Sequence, residues 1–229
     1  YTISLGSDDI RITTRFTEPS VISPLFSSIH EAGHALYEMG ASNEVTRGTS
    51  LANGASFAFH ESQSRLWENM IGRSRAFWSC FFPRMKELFP IQLEYVDLGM
   101  FMKAINRVRP SNIRVDADEV TYGLHIILRF ELEREMLSGN LAVRDLPGAW
   151  NERMEQLLGI RPQDDRVGVL QDVHWSMGEF GYFPTYALGN LYGAQILDSM
   201  KRDLDVDAAV STGDFTPVRQ WLDRNILRF

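Results

Sequence analysis

With 229 residues, 44% of them hydrophobic, the chain can bury a real core as one large domain or two small ones. The formal charge of −7 comes with lysines and arginines that are scattered, so there is no basic footprint and nucleic acid is excluded as an expected partner. The single cysteine, Cys80, excludes an intrachain disulfide and any cysteine-rich zinc site. With no apolar run of about 18 residues and no charged-then-apolar leader, the expectation is a cytoplasmic protein without a membrane partner.

The chain opens at Tyr1 directly in strand-like alternation, which reads as a cut and not as a natural beginning. Ile10 to Phe16 alternates apolar and polar positions and predicts a strand, either a plain structural one or a sheet edge that an extended peptide can join. Ser23 followed by Pro24 then reads as an N-cap and first helical position, and Gly40 as a left-handed C-terminal stop. In the middle of the helix so framed stands His30-Glu31-Ala32-Gly33-His34, an H-E-x-x-H pair. Four residues apart on one helical face, the two histidines have Cβ atoms about 5–6 Å apart, a span that a tetrahedral ion bridges with Zn–N bonds of roughly 2.0–2.1 Å. Glu31 falls beside such an ion and not on it, where a carboxylate can take a proton from a water that the ion activates.

A loop of small residues, 46–54, follows and is placed to line a cleft. From Ser56 the apolar residues Phe57, Phe59, Leu66, Trp67, Met70 and Ile71 recur at helical period, with Glu61 near the start of that helix. A zinc of the His₂Glu type takes its third ligand from a following helix and leaves a place for water, so Glu61 is the best third ligand and Glu68 the competing choice. Four residues after Glu61, where an aspartate commonly supports such a site, stands Arg65; the acceptor that metal-bound imidazoles need must come from elsewhere.

Pro83 and Pro90 read as breaks before further helix, and Arg109-Pro110-Ser111-Asn112 as a turn. A helix from about Ala117 to Leu137, closed by Gly139, carries a polar stripe of Asp118, Tyr122, His125 and Arg129 and an apolar stripe of Val120, Leu124, Ile127 and Leu128. The polar stripe is either a solvated face or a contact with a site. Residues 141–166 read as scaffold, as do the helix through Gln195 and Leu197 and the amphipathic end from Val218 to Ile226. His174, Tyr182 and Tyr186 are candidates to donate to an oxyanion, Tyr186 ahead of Tyr182; packing among Phe180, Phe183, Leu188 and Leu191 is the plain alternative.

Five motifs stand in order along the chain: Asp9-Ile10-Arg11-Ile12-Thr13, His30-Glu31-Ala32-Gly33-His34, His60-Glu61-Ser62-Gln63, Ile113-Arg114-Val115-Asp116-Ala117-Asp118 and Gly168-Val169-Leu170-Gln171-Asp172-Val173-His174-Trp175, with Gly181-Tyr182-Phe183-Pro184-Thr185-Tyr186 behind them. Together they resemble the carboxypeptidase Taq family of zinc metallocarboxypeptidases. The resemblance implies a mainly α, helical metallopeptidase fold with a small β-sheet beside the H-E-x-x-H helix. It also implies that residues 1–229 are a single catalytic region, the C-terminal half of a longer chain whose N-terminal helical half, with its His-Pro-Phe motif, is absent. One zinc per chain, with cobalt accepted by the same donors, would be held by His30, His34 and Glu61.

The same resemblance assigns Arg114 to the terminal carboxylate of a peptide substrate, held bidentately, against the plain alternative of pairing with Asp116 or Asp118. It makes Asp118 the carboxylate behind a ligand histidine, and it implies a homodimer. The expected reaction is hydrolysis of a C-terminal peptide bond by a zinc-activated water, with Glu31 as general base. Other classes open to the same residues are a non-catalytic metal- or peptide-binding module and an endopeptidase or aminopeptidase with the same zinc core.

Overall fold

The computed structural model describes residues 1–6, 9–16, 18, 20–41, 48–49 and 54–227. Strand β1 (Thr2–Gly6) pairs antiparallel with β2 (Asp9–Ile12), Ile3 opposite Arg11. The predicted strand is thus shorter than its alternation, because a register that sets Thr2 against Ile12 leaves residues 14–16 nothing in β1 to pair with. Helix α1 (Ile22–Ala41) carries the H-E-x-x-H residues and runs through Gly40, which does not adopt a left-handed φ. A Cβ at Gly40 would lie 2.6 Å from Leu227 Cβ, so this glycine admits a close neighbour and is not a helix stop. The predicted cleft loop at 46–54 lies almost wholly outside the described residues.

Helix α2 (Phe57–Arg65) starts on Ser56, whose hydroxyl accepts from Phe59 N at 3.2 Å. A π-helical stretch, Leu66–Ile71, follows directly. Helix α3 (Arg75–Leu88) passes through Pro83, predicted as a break; buried Trp78, Phe82 and Met85 on either side pack the helix down, and tertiary burial overrides the local cost of the proline. After α4 (Leu98–Ile105) come α5 (Glu119–Leu137), α6 (Leu146–Leu158), α7 (Pro184–Asp203), α8 (Val206–Ser211) and α9 (Thr216–Leu222), the last continued by a π-helical turn. No helix among the described residues is long and apolar enough to cross a membrane.

The backbone divides into two compact units: Tyr1–Ile105 with Leu188–Phe229, and Asn106–Ala187. Each has apolar cores of its own. In the first unit, Phe26, Trp78, Phe82 and Phe101 form one cluster, and Tyr37, Leu66, Met200, Trp221 and Leu222 belong to another. In the second, Leu128, Leu132, Trp150 and Met154 join α5 to α6, and Tyr122, Ile126 and Phe183 form a smaller cluster. Helix α5 departs from its predicted amphipathicity: Tyr122, His125 and Arg129 of the polar stripe are buried, as is Leu128 of the apolar one, while Val120 and Ile127 are 66% and 44% exposed. The stripe is therefore no solvated face.

Candidate metal centre and active site

Three close helices build the first unit's polar centre, and glycines set how close they come. A Cβ at Gly33 of α1 would stand 2.6 Å from the Ser64 Cα of α2, and one at Gly189 of α7 would stand 2.6 Å from Glu61 Cγ. With hydrogen in both places, α2 lies between its neighbours with Glu61, Ser62, Gln63 and Ser64 buried. His30 Nε2 comes to 3.8 Å and His34 Nε2 to 3.4 Å from the same oxygen, Glu61 Oε2, and the three candidate donor atoms all lie within 4.8 Å of one another. Ligands bound tetrahedrally at roughly 2.0–2.1 Å would stand about 3.4 Å apart, so two imidazole nitrogens and a carboxylate oxygen at these separations fit one small divalent cation.

The electrostatics suit that use. Burial lowers the pKa of His34, against the opposing pull of Glu61, and keeps the ring neutral and able to offer a lone pair. Burial would raise the pKa of Glu61, but the charge of Arg65 is the first of the groups that hold it below the usual carboxylate range; Arg65 Nε donates to Glu61 Oε1 at 2.7 Å, leaving Oε2 turned to the histidines.

Glu68 is not a third ligand in this arrangement. Its Oε2 lies 2.9 Å from His30 Nδ1, the ring atom turned away from Glu61, and its carboxylate is also met by Arg65 at 3.3 Å and Arg73 at 3.7 Å. Behind His34 stands another imidazole, His60, Nδ1 to Nδ1 at 2.6 Å, and His60 Nε2 in turn lies 2.5 Å from Glu38 Oε1. Glu68 and His60 are thus the groups that lie against the outward ring nitrogens of His30 and His34. Asp118 itself caps α5: Oδ1 accepts from Val120 N and Thr121 N, and Oδ2 accepts from Thr121 Oγ1 and Arg109 N, all at 2.9 Å. An extended residue just before a helix is held by the helix's first amide groups, and that local demand takes both oxygens. Glu31 is met at the hairpin: the Thr2 hydroxyl lies 2.7 Å from its Oε2.

The second unit assembles the other candidates. Arg114, 6% exposed, donates from Nε and Nη2 to Asp172 Oδ1 at 3.0 and 2.8 Å and from Nη1 to the Tyr122 hydroxyl at 3.1 Å. Its carboxylate partner is therefore Asp172, neither Asp116 nor Asp118. Arg129, fully buried, approaches the other oxygen of Asp172 at 2.6 Å and lies over the Trp150 ring. Burial lowers the pKa of Arg129 to about 10, which leaves it charged, and the two guanidinium groups hold Asp172 below the usual range although burial acts to raise it. The bonded trio carries one net positive charge. Burial and the nearby guanidinium groups hold His174 and His125 neutral, His125 with its pKa pushed down to about 4.

His174 Nε2 lies 3.0 Å from the Tyr186 hydroxyl, and the Tyr182 ring lies 5.2 Å from the imidazole. The three oxyanion candidates thus sit together, His174 and Tyr186 against Phe183 and Tyr182 against both of them, while Phe180, Leu188 and Leu191 are exposed. Glu133 anchors the segment between His174 and Tyr182, accepting from Trp175 Nε1 at 2.8 Å and from Gly181 N. Of the residues the sequence reading left without a role, His60 and Asp172 stand inside quoted motifs and Arg129 in the polar stripe; Glu38 and Glu133 carry no signal beyond their helical positions.

A helical protein that brings an H-E-x-x-H pair and a glutamate from the next helix around one point has the build of a metallopeptidase. The chain belongs to the Carboxypeptidase Taq (M32) metallopeptidase family, whose description matches residues 1–229. It is 46% identical over 227 residues to carboxypeptidase 1 of Bacillus subtilis, covering 99% of this chain and 45% of that one. To thermostable carboxypeptidase 1 of Thermus thermophilus it is 48% identical over 222 residues, covering 96% of this chain and 43% of that one. It superimposes on the M32 carboxypeptidase of Deinococcus radiodurans with a TM-score of 0.96 at 48% identity, covering all of this chain and 46% of that one. The chain thus spans less than half the length of the relatives it matches.

Proposed function

We propose that this chain is a metallocarboxypeptidase that removes the C-terminal residue of peptides, using one zinc ion held by His30, His34 and Glu61, with cobalt acceptable to the same donors. The observation that carries the reading is the approach of both histidine Nε2 atoms to the single oxygen Glu61 Oε2. When bound there, a divalent ion acts as a Lewis acid, polarising the scissile carbonyl and making water acidic enough to react near neutral pH. Glu31, next to His30 on α1, accepts the proton of the attacking water and passes it to the leaving amine nitrogen. His174 and Tyr186, already hydrogen-bonded to each other, donate to the oxygen on which charge develops, with Tyr182 beside them. Arg114 draws the terminal carboxylate, supported by the net positive charge of the trio it forms with Arg129 and Asp172.

The test is the time course of amino-acid release from a peptide by zinc-loaded protein. Release from the C-terminal end is expected, with Glu31→Gln keeping its zinc and losing nearly all turnover. Equal cleavage of the same peptide with an amidated C-terminus would remove Arg114 from its role, and an active Glu31→Gln variant would remove Glu31.

A further inference from the structure

His60 precedes Glu61 in the same motif and stands behind His34. It stands on α2, yet both its ring nitrogens face α1, toward His34 and Glu38, which are one helical turn apart. The Tyr37 ring packs against the same imidazole at nearly a right angle, centroids 5.1 Å apart.

The proton count along this line is constrained. An Nδ1···Nδ1 contact of 2.6 Å is a hydrogen bond only when one of the two nitrogens carries a proton. A cation on His34 Nε2, the atom turned to Glu61, requires that ring's proton on Nδ1, which donates to His60 Nδ1, so that the His60 proton lies on Nε2 against Glu38 Oε1. That leaves His34 Nε2 unprotonated, with its lone pair on the side of Glu61. His30 reaches the same tautomer by a shorter route, with Glu68 directly against its Nδ1.

We propose that His60 and Glu38 form an imidazole–carboxylate relay that fixes His34 in its Nδ1-protonated tautomer and so sets how tightly the His30–His34–Glu61 donors hold a divalent cation. His60 is a positioning residue here and not a ligand. The inference rests on the reading of that trio as a metal site. It also gives the two histidines unequal support, since the negative charge behind His30 is in direct contact and that behind His34 lies one ring further off.

Zinc affinity of the full chain, measured by competition with a chromogenic chelator, tests the relay. His60→Ala is expected to weaken zinc binding about 10–100-fold, the range found when partners of metal-bound histidines are removed. His60→Gln, which can accept from His34 and donate to Glu38, should recover most of that loss, and Glu38→Ala should lose less than His60→Ala. In the cobalt-loaded protein, the paramagnetically shifted, exchangeable Nδ1–H signal of His34 should vanish by solvent exchange in His60→Ala while that of His30 persists; a purely structural role would not single out one signal.

Zinc affinity unchanged in both His60→Ala and Glu38→Ala overturns the relay. Zinc lost in His30→Ala but unaffected by His60→Ala overturns the relay and leaves the metal site standing, whereas an unmutated chain that binds no zinc overturns both. Should His60→Ala fail to fold, Glu38→Ala decides, because Glu38 is partly exposed and lies at the far end of the relay.

Discussion

Among the described residues, Arg114, Arg129 and Asp172 gather their buried charge into one trio, and His125, buried beside them, is kept neutral. His125 lies among the groups around Arg129 and Arg114; burial first, and then those two guanidinium groups, push its pKa from 6.5 to about 4. Between those values the unfolded chain binds a proton at position 125 that the folded chain refuses. Stability is therefore complete above about pH 6.5 and falls as the solution is acidified toward pH 4, by an amount of order 3 kcal/mol from this residue. Below pH 4 both states are protonated there and the residue adds no further loss. Comparing unfolding free energies of the native sequence and His125→Leu across that interval checks this: the variant should show a distinctly flatter decline. The sequence placed His125 on a polar stripe, but only the packing of α5 reveals that the stripe faces inward, since Arg129 can be buried once Asp172 and the Trp150 ring receive it.

The glycines of α1 and α7 decide where Glu61 sits. Because a Cβ at Gly33 would strike the α2 backbone and one at Gly189 would strike Glu61 itself, either glycine to alanine must push α2 or its glutamate aside. Overpacking of this kind costs typically 1–3 kcal/mol. Both variants should melt lower than the native chain and bind zinc more weakly, as calorimetry and chelator competition would report; normal zinc affinity in Gly189→Ala would mean that Glu61 is not held by this contact. Local signals were an uneven guide at this scale. Gly40 looks like a helix stop, yet it turns out, like Gly33, to be a place where another element comes close, which no pattern within one helix reveals. Pro83 errs the same way, a local penalty outweighed by the burial of its neighbours.

At the scale of the molecule, a cation held at the proposed site would couple binding to stability. A cation that binds the folded chain and not the unfolded one stabilises it by mass action, about 2.7 kcal/mol at a free concentration 100 times its Kd. Added zinc should accordingly raise the melting temperature, and His30→Ala should abolish the rise; an equal shift in that variant would place the ion elsewhere. The sequence by itself determined the helical class, the strand at its start, the family and the trio of His30, His34 and Glu61, because helical spacing and motif order are properties of the chain read along its length. Only the tertiary structure decided which groups stand behind that trio and which partner Arg114 takes. Glu68, His60, Glu38 and Asp172 are chosen by contacts between helices, and a buried imidazole or guanidinium accepts whichever neighbour packing delivers. The division into two compact units was likewise a matter of packing, for it depends on which apolar faces meet, not on any break in composition.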